Sequence, residues 1–335
     1  MVGGAYSLYA AGTVERMGGI HIFLTDDRDS AAYLVNDLYE LLDEKHVEFF
    51  SSGYKRSAAY GAEDAQGIVR RTSALNAITS FKGGYLAVCT YPEALAESVA
   101  ERVDLAQLSM KLSVGDRLEQ NTLVNWLIEH GFERVDFVYE PGQYSVRGGI
   151  VDIFSYVESK PYRVDFFGDE IDSIRRFNIS SQLSHDKVQS VEIIPNLNHD
   201  NADKVSLVHF AGEATCWFYD ADYVLRRVND LRRKVLAEME SPSQIDTLLT
   251  SRRILLDDLQ SCKVCLLRDN LTERIADSVV TFATVPQPKF NKQYEVLADD
   301  LADAAQKGYK SYILSESKAQ IERLGNIMHQ IKRGG

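Results

Sequence analysis

Hydrophobic positions in this chain recur with more than one period, and the changes of period divide it. Ile20–Thr25 is a short apolar run, followed by Asp26–Asp29, which can cap a helix, and by Ala32, Leu34, Val35, Leu38 and Leu41 at helical spacing. A helix around Ala65–Ser80 leads through Lys82, Gly83 and Gly84 into an apolar strand, Tyr85–Thr90, and Pro92 opens another helix. Strands alternating with amphipathic helices predict a mostly parallel sheet.

Near residue 107 the rhythm changes. Gln107–Leu112 predicts a strand and Glu119–His130 a helix, with Leu123, Trp126, Leu127 and His130 on one face and Gly131 as its stop. The extended runs Tyr144–Phe154, Pro161–Gly168 and Val188–Ile194 follow one another across short turns, as in an antiparallel α+β unit. From about residue 197 the α/β pattern returns. It predicts strands Lys204–Phe210 and Thr215–Tyr219, a helix Asp222–Met239 striped by Val224, Leu225, Val228 and Leu231, then a strand Tyr309–Leu314 before a helix through Ile321, Leu324 and Met328. The expected fold class is α/β: a discontinuous parallel-sheet domain over 1–106 and 197–330, interrupted by a smaller antiparallel α+β domain over 107–196. The chain ends at Gly335 just after a strand–helix unit, and a longer parent protein is expected.

The ribbon around Pro161–Gly168 has one unusual side. Tyr162, Val164 and Phe166 share one parity; Arg163, Asp165 and Phe167 share the other, which is polar except for Phe167. Taking Tyr144–Phe154 as one strand, with the intervening loop centred near Glu158, sets Gly149 opposite Phe167 and Ile153 opposite Arg163, and brings Arg147 to their side. Two guanidinium groups then flank one exposed ring, spread over roughly 13 Å of strand. These side-chain types dominate interface energetics, so the arrangement is a contact patch rather than a catalytic pocket. A plainer arrangement also fits the pattern: Phe167 covers Gly149, and the arginines are solvated partners of Asp165 and Asp169.

Composition adds constraints. With 335 residues, 45% of them hydrophobic, the chain can bury a large core in about two domains. No window reaches the length of a membrane span, and no basic, apolar leader opens it, so a cytoplasmic protein is expected. The formal charge of −12, from 49 acidic and 37 basic residues, opposes non-specific phosphate attraction. The ribbon shares this character, with nine carboxylates against six basic groups over residues 133–176. Four cysteines, Cys89, Cys216, Cys262 and Cys265, lie in apolar strand-like surroundings and are expected to be reduced. Cys262 and Cys265 form a single CxxC without a second pair, which fits an interior strand better than a zinc or redox site. The seven histidines form no HExxH motif, no GxSxG elbow is present, and Asp26–Asp27, Asp257–Asp258 and Asp299–Asp300 suit helix starts or solvated faces. No cofactor or metal site is indicated.

EPGQYSVRGGIVDIF, PYRVDFFGDEIDSIRRF and the following SQLS, in this order and spacing, closely resemble the amino-terminal module of the bacterial transcription-repair coupling factors (Mfd), itself similar to the damage-recognition excinuclease protein UvrB. Weaker likeness extends over GGAYSLYAAGTVER, IFLTDDRDSAAYLVNDLYELL and QPKFNKQYEVLADDLADAAQKGYKSYILSES. The resemblance implies a degenerate P-loop-hydrolase-like domain holding an inserted domain that captures the excinuclease protein UvrA. Arg147, Arg163 and Phe167 occupy the positions that contribute to this contact in the family, with Asp165 and Arg175 as secondary candidates. It also implies that contacts with RNA polymerase and DNA, and ATP-driven translocation, belong to domains absent here, and that the recruitment face is covered in the intact protein. The phosphate-binding loop of UvrB corresponds here to Val2-Gly3-Gly4-Ala5-Tyr6-Ser7-Leu8. Gly3, Gly4 and Ser7 remain, but the lysine such a loop needs is missing and Tyr6 intrudes, so a non-enzymatic module is expected. The alternative is a damaged-DNA-binding or ATPase module similar to UvrB.

Overall fold

The computed structural model describes residues 3–54, 64–101, 109–158, 160–196, 203–239, 243, 245–267, 277–286, 288–291, 293–313, 315 and 317–334. The chain divides into two compact units, Tyr6–Val279 and Met1–Ala5 with Val280–Gly335. The expected domain boundaries near 106 and 197 lie outside the described residues. No helix among the described residues is long and apolar enough to cross a membrane.

The unit Tyr6–Val279 contains a five-stranded parallel sheet in the order Lys263–Leu266, Ala214–Phe218, Gly19–Leu24, Tyr85–Thr90, Val47–Phe49. The three inner strands are almost wholly buried, because helices cover both faces of such a sheet. Helix Arg28–Leu41 starts at Asp27, whose carboxylate accepts from the Ser30 N–H at 2.8 Å, and it buries Ala31, Leu34, Val35 and Leu38. Helix Ala65–Ser80 and strand Tyr85–Thr90 have the predicted limits. Lys263–Leu266 is an edge strand with Val264 exposed, not the interior strand its apolar run predicts.

A second sheet of six strands runs in the order Ser184–Val188, Glu170–Phe177, Tyr162–Phe167, Ile150–Ile153, Gln143–Arg147, Glu133–Arg134, antiparallel except for the last pair. One face buries Tyr144, Val151, Ile153, Tyr162, Val164 and Ile174 against Leu123 and Leu127 of helix Gln120–Glu129. The ribbon Met110–Ser113 with Ser190–Ile193 closes that core through Leu112, Val191 and Ile193.

Four expectations are corrected. Tyr144–Phe154 is two strands, Gln143–Arg147 and Ile150–Ile153, joined by a turn at Gly148–Gly149, where Gly148 has φ +60°. The next hairpin pairs Asp152 with Arg163 and Ile150 with Asp165, one residue out of the expected register. Lys204–Phe210 is a strand only at Lys204–Val205; Ser206 then caps a helix, Leu207–Ala211, by accepting from the His209 N–H. Residues 309–313 carry no strand. The second unit is instead built on helices Tyr294–Gln306 and Lys318–Gly334, which pack together.

Candidate functional site

The outer face of the six-stranded sheet holds Arg147, Asp152, Arg163, Asp165, Phe167 and Arg175. A one-residue register slip should have turned Arg147 away from Arg163. The unforeseen turn at Gly148–Gly149 cancels it: Arg147 pairs with Ile150, and Ile150 lies two residues from Asp152, the partner of Arg163. Val151 and Ile153, which the expected register sets beside the arginines, face the core instead.

Asp152 occupies the centre of this face with no solvent exposure. Its Oδ1 accepts from Arg163 Nε at 2.7 Å and its Oδ2 from Arg163 Nη2 at 2.9 Å, a two-pronged pair of the strong kind. Arg147 Nη2 donates to the same Oδ2. Arg163 Nη1 also donates to the Gln182 carbonyl oxygen at 3.1 Å and to Ser184 Oγ at 3.2 Å, and the guanidinium lies 4.7 Å from the Phe177 ring centroid. The hydrogen bonds to Asp152 raise the proton affinity of Arg163 further. Arg147 sits 5.2 Å from the Phe137 centroid and donates to the Asp136 carbonyl oxygen at 3.4 Å.

At the far end of the same strand, Phe167 is 83% exposed opposite Glu170. It does not cover Gly149; a Cβ there would come within 2.9 Å of the Phe166 carbonyl oxygen, so close strand approach explains that glycine. Arg175 pairs with Asp165, which also accepts from Ser173 Oγ at 2.8 Å. The plainer arrangement does not hold, since Arg147 and Arg163 pair with Asp152 rather than with Asp165 or Asp169.

A family model, the UvrB interaction domain, matches residues 110–199, a span that includes the whole of this face. The chain is also similar to the transcription-repair-coupling factors of Bacillus subtilis (28% identity over 194 residues), Escherichia coli (28% over 196) and Myxococcus xanthus (33% over 135). These stretches cover 58%, 58% and 39% of this chain but only 16%, 17% and 11% of the relatives. The chain thus resembles one part of the transcription-repair-coupling factors, around a match to the UvrB interaction domain.

Within the UvrB interaction domain, the structure gathers Arg147 and Arg163 on one carboxylate and leaves Phe167 exposed on the same face. Asp165 and Arg175 form a separate pair. The residue that sequence reasoning missed is Asp152. Its signal was an acidic position inside an otherwise apolar strand, IVDIF, but its partners depend on the register.

Outside this domain, Ser7 is buried in helix Ala5–Met17 and donates to Asp37 of helix Arg28–Leu41. Tyr6 packs edge-on against Phe23 and Tyr219, each at 6.4 Å between centroids, and burial pushes its hydroxyl pKa up. Gly3, at φ +60°, and Gly4 form the turn before this helix. Among the described residues no group of three or more His, Cys, Asp or Glu side chains could hold a metal. The cysteines are free; a hydrogen bond between Cys216 and Cys262 lowers the Cys262 pKa to about 6 and raises that of Cys216.

The carboxyl ends of the parallel strands border a cavity of about 340 Å³, lined by Arg28, Tyr91, Glu97, Arg227 and Lys234 among others. At Glu97, Arg71 Nη1 approaches to 3.3 Å and the Gly53 N–H donates at 2.9 Å. The Arg71 guanidinium further donates to the carbonyl oxygens of Ser51, Ala94, Glu97 and Ser98. This network ties helix Ala65–Ser80 to the loop after strand Val47–Phe49 and to the segment Ala94–Ser98.

Proposed function

We propose that this module is a non-catalytic recruiter of the excinuclease protein UvrA in transcription-coupled nucleotide excision repair, and that UvrA docks on the outer face of the six-stranded sheet, where Arg147, Arg163 and Phe167 lie. The observation that carries the reading is Phe167: a large ring 83% exposed at the end of a strand, on the face that holds a fixed arginine cluster, inside the segment that matches the UvrB interaction domain. An isolated exposed apolar side chain is ordinary; one that shares a sheet face with hydrogen-bonded arginines has the composition of an interface. The separate cores of the two sheets support placing the docking domain as an insertion over 107–196.

In this reading the flanking α/β region is a degenerate P-loop-hydrolase-like domain. Tyr6 and Ser7 are both committed to interior contacts, and no lysine stands in the loop to hold phosphates, so ATP is not hydrolysed. The net charge of −12 disfavours direct DNA binding. The test mixes this chain with purified UvrA and follows complex formation by gel filtration and calorimetry, with an ATPase assay and a DNA gel shift in parallel. A stoichiometric complex without ATP turnover is expected. Absence of a complex at about 10 µM, where a weak specific contact still registers, would refute the proposal.

A further inference from the structure

Building on that docking reading, we infer that Asp152 is a positioning residue. Its buried carboxylate makes Arg147 and Arg163 the frame of the docking face, so that the partner reads an apolar rim, Phe137 and Leu183 together with Phe167, rather than two free guanidinium charges.

A count of donors supports this. Of the five N–H groups of Arg163, the Nε and one Nη2 proton go to Asp152, and the two on Nη1 serve Gln182 and Ser184. One remains for a partner, on a side chain only 15% exposed. The cluster of two arginines and one aspartate carries a net charge of +1, not +2. Each guanidinium roofs a ring: Arg163 covers Phe177, which is buried with Val138 and Phe154 in a small core of this face, and Arg147 covers Phe137, which stays half-exposed.

Arg163 also anchors the turn after Phe177. Gln182 holds a left-handed backbone, φ +57°, which costs energy in a non-glycine residue and persists only where its surroundings fix it. Its carbonyl is the one that Arg163 grips, and its side-chain amide donates to the carbonyl oxygens of Val138 at 3.2 Å and Ile179 at 2.8 Å. Asn178 caps the Ser180 and Ser181 N–H groups from the other end of the turn. The product of these bonds is a rigid turn that holds Leu183 outward, 70% exposed. Asp152 thus controls Leu183 through Arg163, and Phe137 through Arg147.

The experiment measures UvrA binding to the whole chain at low and high salt. Asp152→Asn keeps the shape but frees a positive charge; a frame predicts affinity about tenfold weaker, whereas freely pairing arginines predict equal or tighter binding. If that variant does not fold, the exposed substitutions Leu183→Ser and Phe137→Ser decide: each is expected to weaken binding about five- to tenfold with an unchanged melting temperature. Arg147→Lys, which keeps the charge and loses the fork, is expected to weaken binding as much as Arg147→Ala. Wild-type affinity in both rim variants while Phe167→Ala loses binding overturns the inference and leaves the docking reading intact. Wild-type affinity in Phe167→Ala as well overturns both. A fall in affinity steeper than about tenfold between low and physiological salt also overturns the frame, because it shows the partner pairing with free charge.

Discussion

Replacing Phe167 by alanine separates docking from folding more cleanly than any other change on this face. The ring is 83% exposed, so little of its area supports the fold. Removing it should change stability by no more than about 0.5 kcal/mol. A phenylalanine buried in an interface removes about 200 Å² from water. Four-fifths of that, about 160 Å², is newly covered on docking and contributes about 4 kcal/mol at 25 cal/mol per Å². Alanine retains part of this area, which leaves a loss of about 2–3 kcal/mol, or about 30- to 150-fold in Kd. Calorimetric titration of wild type and Phe167→Ala against UvrA, with thermal unfolding of each alone, measures both quantities. A Kd within about threefold of wild type would refute the assignment of Phe167 as an anchor. A loss of several degrees in Tm would show instead that the ring supports the fold.

Three further perturbations probe the scaffold. Arg71→Met should destabilise by about 3–5 kcal/mol in urea unfolding, because it leaves the Glu97 carboxylate and four carbonyl oxygens buried without their cation. In a Glu97→Gln background the further loss should be smaller; equal losses would disprove the coupling. Burial pushes Glu48 up to about 7 from 4.5, although Ser73 Oγ donates to it. The fold therefore favours its protonated form, and stability should fall as pH rises from 4.5 through 7. Glu48→Gln should remove that slope and gain about 1–2 kcal/mol at pH 8, allowing for partial exposure; an unchanged pH profile would count against it. His21 shifts the other way: burial lowers its pKa, with Nε2 donating to the Gly18 carbonyl oxygen at 2.9 Å and Nδ1 accepting from Trp217 Nε1 at 3.0 Å. Its neutral form is the one that fits, so the stability it contributes is present above 6.5 and lost as pH falls below it. Thermal unfolding of the Glu48→Gln variant between pH 7 and 5 should expose this loss, and His21→Phe should abolish it.

Local signals along the chain determined the elements whose causes are local. Helix Ala65–Ser80 and strand Tyr85–Thr90 follow from residue period, and the start of helix Arg28–Leu41 from the Asp27 cap, because each depends on contacts a few residues apart. Alternation alone likewise set Arg163 and Phe167 on one side of their strand, opposite the buried Tyr162 and Val164. Lys204–Phe210 misled because the Ser206 hydroxyl, by satisfying the His209 N–H, favours a helical turn over continued extension. The run at 309–313 has strand-like composition, yet a strand also needs a paired neighbour. What only the tertiary structure decided is where the arginines point their donors. Strand register depends on loop length and on the close approach that Gly149 permits, and a shift of one residue exchanges Asp152 and Ile153 as the neighbour of Arg163. Asp152 is ordinary in a list of carboxylates and central in the fold, because a buried charge is defined by the two cations that three-dimensional pairing brings to it.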